Sequence, residues 1–186
     1  MVTNSAALLL YDIDEDGQTI HVFIAHMGGP FWARKDEGGW SIPKGLFDPE
    51  GEDPRAAACR EFAEEIGVPG PSKVGEELEG EHLEDLGVYR QSSGKRVHAF
   101  AARDVGRQTK FRESNTFDME WPRGSGVVHS FPEIDRAQWF PVEEARRKLV
   151  KGQRPILETL IEHVNRKVPE VCEGKGAPDT KVEVSH

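Results

Sequence analysis

The sequence predicts a single α/β domain in which a mixed sheet is flanked by helices on its faces. Three observations favour this fold: apolar and β-branched runs typical of strands, one helix with clear ends, and two late segments with helical periodicity. The chain has 186 residues, which suits one domain with a substantial core and is short for two. We expect residues 1–167 to form this domain. Residues 168–186 contain few large apolar side chains and are expected to be a flexible tail.

The first predicted elements are two strands, "SAALLLYDID" and "TIHVFIAHM", joined by the turn-rich segment "EDGQ". The stretch "DIDEDG" also matches the opening of a calcium-binding EF-hand loop, which needs a bidentate glutamate at its twelfth position. That position is Phe23 here, and strand patterns stand where helices are required. The stretch is therefore interpreted as an acidic hairpin turn.

A long irregular loop, "GGPFWARKDEGGWSIPKG", follows, with a short extended piece at 40–42. The next segment, "DPRAAACREFAEEIG", is the clearest helix of the chain. Asp53 suits the N-cap, Pro54 suits the first helical position, and Gly67 suits the residue that stops the helix. The spacing predicts a helix over residues 54–66.

The second half of the chain predicts further strands and two helices. "LEDLGVYRQ" and "KRVHAFAAR" have strand patterns, "FRESNTFDMEWPRGSG" is a polar segment with scattered aromatics, and "VVHSF" and "AQWFPV" are shorter strands. "PVEEARRKLV" and "PILETLIEHVNRK" are predicted helices. The second of these has an apolar stripe that predicts core packing, formed by Ile156, Leu157, Leu160, Ile161 and Val164.

Composition limits the function classes. Hydrophobic residues are 37% and charged residues 31%, as in soluble globular proteins. The formal charge of −9 argues against general binding to a nucleic-acid polymer, which needs lysine and arginine to replace counterions. No membrane-spanning run or signal peptide is predicted, so a cytoplasmic location is expected. Cys59 and Cys172 do not form a disulfide framework, and Cys59 is expected to be a small buried apolar residue.

One face of the predicted helix is acidic. Glu61, Glu64 and Glu65 share one sector of about 100° around the helix axis, and the apolar side chains occupy another. Like charges at these spacings repel each other, and only Arg60, four residues before Glu64, provides a nearby positive charge that offsets the repulsion. Carboxylates gathered in this way suit hard divalent cations such as magnesium. Before the helix, Lys44 and the nearby glycines form a turn in which the backbone can approach a phosphate closely.

These residues resemble the signature of the Nudix hydrolase family, G-x5-E-x7-R-E-U-x-E-E-x-G-U, in which U is a bulky aliphatic residue. The pattern runs in order from Glu52 to Val68. There are two departures: Phe62 takes an aliphatic position, and six residues instead of five separate Gly45 from Glu52. The segments "WSIPKG" and "PEIDRAQWFPVEEA" also resemble the family. The resemblance implies the Nudix α/β/α sandwich.

The resemblance also implies an enzyme that cleaves phosphoanhydride bonds of nucleoside diphosphate derivatives by attack of water, with several Mg²⁺ or Mn²⁺ ions. The implied metal ligands are the three helix glutamates, with Glu61 or Glu65 also taking a proton from the attacking water. Glu52 is expected to hold or orient the metal shell, and the carbonyl of Lys44 to reach the metals. The implied supporting residues are Arg60, which orients a glutamate, together with Gly45 and Gly67.

The family usually adds an acid from a later loop, as a further metal ligand or as the base. Glu133 is the expected residue because it precedes a strand ending in Trp139, and Glu120 is the alternative. Phosphate contacts are expected from the Lys44 side chain and from Arg34, with Lys35 a further candidate. Core packing is the expected role of the aromatic residues of the long loop, although they could stack on a base. His98 is expected to be a structural residue of a strand.

The expected substrate is a small nucleotide, with nucleoside polyphosphates and dinucleoside polyphosphates favoured by the family-like flanks. Two alternatives stay open. One is a Nudix-fold module that binds a nucleotide without cleaving it, although such modules usually lack one of the four glutamates present here. The other is a diphosphoinositol polyphosphate hydrolase, which needs a basic pocket from Arg34, Lys35, Lys44, Lys95 and Arg96. A monomer or a homodimer is expected, with no membrane and no polymeric nucleic acid as partner.

Overall fold

The computed structural model describes residues 3–68, 83–91 and 94–167. The predicted tail at 168–186 and Cys172 lie outside the described residues. Nine strands are described: β1 Asn4–Ile13, β2 Ile20–Met27, β3 Trp40–Ser41, β4 Lys44–Leu46, β5 Glu84–Arg90, β6 Arg96–Arg103, β7 Thr116–Glu120, β8 Val128–Pro132 and β9 Ile134–Pro141. The described helices are α1 Pro54–Ile66, α2 Val142–Lys148 and α3 Arg154–Lys167, with a 3-10 turn at Lys151–Gln153 before α3.

A seven-stranded mixed sheet forms the centre of the fold. Its main path runs β3-β2-β1-β6-β5, with β4 paired to β1 and β9 paired to β2. β1 pairs in parallel with β6 and antiparallel with both β2 and β4. The predicted mixed sheet and the predicted opening hairpin are confirmed. Because β1 lies between β4 and β6, residues near 45 and near 97 are brought to the same part of the sheet.

Apolar residues of the sheet point alternately to two cores, so the sheet is covered on both faces. On one face, Phe62 and Ile66 of α1 pack with Phe23 of β2 and Phe100 of β6. On the other face, the predicted stripe of α3 packs with the indole of Trp40. The layers are therefore helix, sheet and helices, as predicted. In the described part of the chain, no helix is long and apolar enough to cross a membrane.

Helix α1 begins and ends where its sequence predicts. The carboxylate of Asp53 accepts hydrogen bonds from the backbone N–H groups of Arg55 and Ala56, at 2.9 and 3.2 Å. Gly67 ends the helix with φ 71°, a left-handed conformation that favours glycine. A Cβ at this position would lie 2.4 Å from the carbonyl oxygen of Glu113, so a larger residue has no room. Cys59 is buried on the apolar side of the helix, as expected.

Strands β7 and β8 form a separate two-stranded sheet that was not predicted as such. β7 lies inside the polar segment "FRESNTFDMEWPRGSG", in which only Phe117 and Met119 alternate as large apolar residues of a strand. The hairpin packs against the long loop after β2. A Cβ added to Gly28 would lie 2.0 Å from the carbonyl oxygen of Pro132, and one added to Gly29 would lie 2.9 Å from the ring of Phe117.

Candidate active site

A cleft of about 460 Å³ lies between β4, α1 and the start of β9. Its charged lining combines four carboxylates with two ammonium groups. The glutamates are Glu61, Glu64, Glu65 and Glu133, and the lysines are Lys44 and Lys95. The predicted acidic face of α1 therefore lines the cleft together with the acid predicted from the later loop.

Backbone contacts fix two of the helix glutamates against β4. The N–H of Lys44 donates to Oε2 of Glu65 at 3.0 Å. A Cβ added to Gly45 would lie only 1.6 Å from Oε2 of Glu61, so the carboxylate occupies the space that any side chain would fill. This close approach is possible because residue 45 is glycine. The predicted supporting role of Gly45 thus has a specific steric basis.

Arg60 connects the remaining acids of the motif. Its guanidinium donates to both carboxylate oxygens of Glu52, at 2.9 and 2.8 Å. It also donates to Glu61 at 2.7 Å and to the more exposed Glu64 at 3.4 Å. The hydrogen bonds that Arg60 donates lower the pKa of Glu52, and their acceptance by Glu52 and Glu61 raises the pKa of Arg60. Glu52 does not line the cleft. It is connected to the cleft glutamate Glu61 through Arg60, which donates hydrogen bonds to both.

The extra residue of the motif lies in a turn after β4. The carbonyl oxygen of Asp48 accepts hydrogen bonds from the N–H groups of Gly51 and Glu52, at 3.0 and 2.9 Å. The carboxylate of Asp48 accepts a third, from the N–H of Glu50 at 3.0 Å. Upstream of this turn, Lys44 and Gly45 pair with Ala7 and Ala6 of β1. The insertion therefore leaves the β4 residues beside the helix glutamates.

The carboxyl of Glu65 has the most perturbed environment of the four acids. Burial, together with the smaller effects of the neighbouring charges of Glu61 and Glu133, raises its pKa to about 7 against the opposing effect of Lys44. Burial also lowers the pKa of Lys95, with a further lowering by Lys44 that Glu65 and Glu61 oppose. The charges of the two lysines and of the cleft glutamates therefore interact with one another. Perturbed groups that share a cleft are typical of functional sites.

The structure separates the two candidates for the later acid. Glu133 lines the cleft, and both of its peptide groups are fixed: its N–H donates to the carbonyl oxygen of Asn115 and its carbonyl oxygen accepts from the N–H of Gly28, each at 2.8 Å. Glu120 instead lies at the end of β7, where its carboxylate accepts from the N–H of Gly126 at 2.6 Å. The catalytic role of Glu133 stays a prediction.

The other expected contacts are more dispersed. Arg34 and Lys35 lie exposed on the long loop and do not line the cleft, while the Lys35 ammonium lies 4.8 Å from the ring centroid of Trp32. Trp40 is buried in the core, as expected of an aromatic residue near the sheet. His98 contacts the carboxylate of Asp85 at 3.0 Å, away from the cleft.

Lys95 and Asn115 are among the cleft residues that were missed as site residues. Lys95 was considered only for the diphosphoinositol alternative, and Asn115 was not considered. Lys95 directly precedes β6, whose parallel pairing with β1 brings it near Lys44. That pairing joins strands 92 residues apart in the sequence, as in Asn4 with Arg96, and local sequence patterns carry no signal for it.

The donor chemistry of the cleft fits a hard divalent cation, because carboxylate oxygens are the ligands that magnesium prefers. The space that Gly45 leaves for Glu61 brings one carboxylate next to the backbone. Within the described ranges, however, no group of three or more histidine, cysteine, aspartate or glutamate side chains stands close enough to hold a metal ion. Glu61 and Glu64 hold Arg60 instead. The metal-ligand roles therefore stay predictions.

Comparison with known proteins agrees with this geometry. The family model described as "NUDIX domain" matches residues 3–160. An RNA pyrophosphohydrolase of Rhizobium meliloti is 30% identical over 128 residues, which are 66% of this chain and 70% of that protein. An RNA pyrophosphohydrolase of Rhodopseudomonas palustris is 26% identical over 171 residues, which are 89% of this chain and 86% of that protein.

Among solved structures, a binary complex of the C. elegans Ap4A hydrolase matches with a TM-score of 0.55. The match has 19% identity and covers 89% of this chain and 99% of that one, and at this identity it supports the fold alone. The predicted α/β/α sandwich is confirmed by this match. The chain belongs to the NUDIX domain family and is a hydrolase that acts on acid anhydride bonds in phosphorus-containing compounds.

Proposed function

We propose that this protein is a Mg²⁺- or Mn²⁺-dependent pyrophosphohydrolase of nucleoside polyphosphates, with dinucleoside polyphosphates as the favoured substrates. The observation that carries the proposal is the meeting of four glutamates and two lysines in one cleft. Phosphoanhydride cleavage requires that the charge of the phosphates be neutralised, and cations together with lysines provide this. The formal charge of −9 argues against general binding to a long nucleic-acid polymer.

The proposed metal ligands are Glu61, Glu64 and Glu65, supported by Glu52 and by the carbonyl oxygen of Lys44. Bound ions would neutralise phosphate charge and lower the pKa of a bound water. The chain's own groups have separate roles. The ammonium groups of Lys44 and Lys95 bind phosphate oxygens, and Arg60 orients the carboxylates that it contacts.

A carboxylate of the cleft takes the proton of the attacking water. Glu65 supports this role because burial raises its pKa to about 7, near the range in which a general base works well. Glu61 is the second candidate of the helix, and Glu133, which lines the cleft just before β9, acts as a further base or ligand. Arg34 is proposed as a phosphate contact only for a substrate that extends beyond the cleft.

A second candidate function is removal of pyrophosphate from the 5′ end of RNA. The observation that favours it is the similarity to two RNA pyrophosphohydrolases over most of the chain. The reacting groups are the same in both cases, because the cleft binds a polyphosphate. The two candidate substrates differ in the group that is attached to the polyphosphate outside the cleft.

The remaining alternatives have less support. A module that binds without cleaving usually lacks one of the four glutamates, and all four are present. A diphosphoinositol polyphosphate needs several cations around it, and of the five basic residues considered only Lys44 and Lys95 line the cleft. A cytoplasmic location and a monomeric or homodimeric state remain expectations.

The test is a hydrolysis screen of the purified chain with Mg²⁺, Mn²⁺ or EDTA. The substrates are a dinucleoside tetraphosphate, a nucleoside triphosphate, 5′-triphosphorylated RNA, ADP-ribose and a diphosphoinositol phosphate, with Glu64→Gln as the reference variant. We expect metal-dependent cleavage of the dinucleoside tetraphosphate at the highest kcat/KM. Preference for the triphosphorylated RNA establishes the second candidate. If the wild type matches Glu64→Gln on every substrate, the binding module is the correct interpretation.

A further inference from the structure

Gln153 is a buried polar residue at the end of the 3-10 turn before α3, with only 1% of its surface exposed. Both ends of its side-chain amide have partners on a distant segment. Its Oε1 accepts from the backbone N–H of Ile42 at 2.7 Å, and its Nε2 donates to Oγ of Ser41 at 3.0 Å. No motif of the sequence assigned a role to this glutamine.

The chain after α2 begins to pair with Trp40 as a parallel strand does. Leu149 forms a parallel bridge with Trp40, and the N–H of Val150 donates to the carbonyl oxygen of Trp40 at 2.9 Å. Hydrogen bonds of a parallel ladder are evenly spaced, so the next one joins the N–H of Ile42 to the carbonyl oxygen of Val150. That oxygen instead accepts from the backbone N–H of Gln153 at 3.0 Å, within the 3-10 turn. The side chain of Gln153 therefore supplies the acceptor that the turn removes from the ladder.

Ile42 lies where its segment changes partner strands. The strand before it, β3, pairs with β2, and the strand after it, β4, pairs with β1. Ile42 is fully buried, and a buried backbone N–H needs a hydrogen-bond partner because water cannot reach it. The acceptor at this crossing is the side chain of Gln153, which takes the place of a neighbouring strand.

The crossing leads directly into the cleft. Ser41 and Lys44, on either side of it, both line the cleft. Pro43 separates Ile42 from Lys44, and its ring fixes φ at about −65°. The N–H of Lys44 then donates to the carboxylate of Glu65 at 3.0 Å. A shift of Ile42 is therefore passed on to the Lys44 N–H through one residue of restricted geometry.

We infer that Gln153 is a positioning residue of the cleft, whose amide holds Ile42 in place and thereby keeps the N–H of Lys44 against Glu65. Without this amide the N–H of Ile42 has no acceptor, the segment shifts, and the carboxylate of Glu65 is displaced. Turnover then falls, whereas the Lys44 ammonium, on its long flexible stem, still reaches phosphate. The effect on turnover rests on the proposed function, but the hydrogen bonding at Ile42 does not.

Amide hydrogen exchange tests the hydrogen bonding independently of activity. Gln153→Met keeps the length of the side chain and has no strong donor or acceptor. We expect the amides of Ile42 and Lys44 to lose protection in this variant. The amide of Leu8, which donates to the carbonyl oxygen of Pro43 at 3.1 Å, should stay protected because β4 keeps its pairing with β1. Wild-type protection of the Ile42 amide in the variant overturns the inference.

Steady-state kinetics test the connection to the cleft. For Gln153→Met we expect kcat to fall by about 10-fold or more and KM to change less than about 3-fold, since a misplacement of 1 Å can cost about 100-fold in rate. Gln108→Met is the matched control, because the exposed Gln108 donates to the carbonyl oxygen of Val105 and does not line the cleft. It should keep the wild-type kcat and KM. Equal values of kcat for the two variants contradict the positioning role.

Gln153→Glu separates hydrogen bonding from packing. A carboxylate has the shape of the amide and accepts from the N–H of Ile42 and, after rotation of the hydroxyl, from Ser41. We expect this variant to protect the Ile42 amide and to have a higher kcat than Gln153→Met. A higher kcat for Gln153→Met means that an adaptable side chain of the right length is sufficient, and the positioning role is then wrong.

Urea titrations establish that each variant is folded under the assay conditions. If Gln153→Glu does not fold, the comparison of Gln153→Met with Gln108→Met decides. If the exchange result holds while the wild type cleaves none of the substrates, the proposed function fails and the role of Gln153 at Ile42 stands. If the wild type is active and Gln153→Met matches its kcat, the positioning role fails and the proposed function stands.

Discussion

The backbone N–H of Lys44 and the carboxylate of Glu65 are joined by a 3.0 Å hydrogen bond that links β4 to α1 inside the cleft. Glu65 is mostly enclosed, and burial is the main cause of its raised pKa. Its neighbour Glu61 lies against Gly45, one residue further along the same strand. The geometry of the site therefore depends on how closely β4 approaches α1. A variant that fills the space between them tests this dependence.

Gly45→Ala should abolish most activity while the protein still folds. The added Cβ overlaps Oε2 of Glu61 at 1.6 Å, so the carboxylate or β4 must move by an ångström or more, and such a displacement costs about 100-fold in rate. Steady-state kinetics and thermal unfolding provide the measurements. Gly51→Ala is the control, because the nearest atom to its Cβ is Oδ2 of Asp48 at 3.8 Å. Equal kinetics for the two variants would contradict the steric explanation.

Glu133→Gln should lower kcat by about 100-fold or more, which is typical of losing a general base, with a smaller change in KM. The isosteric amide keeps the shape of the side chain but cannot accept a proton. Glu120→Gln is the matched control, since its carboxylate binds the N–H of Gly126 at the end of the hairpin. If Glu120→Gln shows the larger loss of kcat, the assignment of the later acid must be exchanged.

Lys95→Gln should raise KM by about 10-fold, equivalent to 1.4 kcal/mol, with a modest effect on kcat. The reason is that the Lys95 ammonium lies in the cleft near Lys44, where phosphate oxygens are expected. Arg96→Gln removes the same charge from the adjacent, exposed residue that does not line the cleft. A similar KM increase in both variants would mean that overall charge, and not a local contact, is responsible.

Acid stability should depend on the ion pair between α2 and α3. Arg146 donates to Glu158 through Nε at 2.6 Å and through Nη2 at 3.0 Å, and this hydrogen bonding lowers the pKa of Glu158. A carboxyl group whose pKa is lowered in the folded protein stabilises the fold at pH values above its ordinary pKa. This stabilisation is lost as the pH falls through the lowered pKa. Glu158→Gln should therefore destabilise the protein at neutral pH and converge with the wild type in acid.

Both side chains of this pair are about a third exposed or more, so the expected difference in free energy of unfolding is below about 1 kcal/mol. Urea titrations over a range of pH provide the measurement. Glu162→Gln, an exposed glutamate on the same helix, is the control and should show no such convergence. A constant difference at every pH would show that Glu158 contributes packing instead of charge.

Local signals explain why α1 was predicted to the residue. Asp53, Pro54 and Gly67 each act on the backbone within a few positions, and the acidic and apolar sectors follow from helical geometry. Glu133 was predicted from the family resemblance and lines the cleft, while its catalytic role stays a prediction. In the described part of the domain, sequence patterns therefore predict an element correctly where the contacts that determine it join residues close to each other along the chain.

Contacts between distant segments were not predictable in this way. Lys95 comes near Lys44 because β1 pairs with both β4 and β6, and two strand spacings amount to only about 10 Å. β7 was missed because its pairing with β8 spans a seven-residue connection and its side chains are largely exposed. Gln153 gave no signal, since its partners Ser41 and Ile42 lie 112 and 111 residues away along the chain.

The turn from Asp48 to Glu52 has a practical consequence for finding relatives of this chain. The pairing of β4 with β1 fixes one side of the turn and Arg60 fixes the other, so the number of residues between Gly45 and Glu52 is free to vary while the side chains stay in place. A search pattern with rigid spacing rejects this sequence although Glu61 still lies against Gly45. Patterns that allow a variable length at this turn, and demand the glycine and the helix acids, describe the physical requirement better.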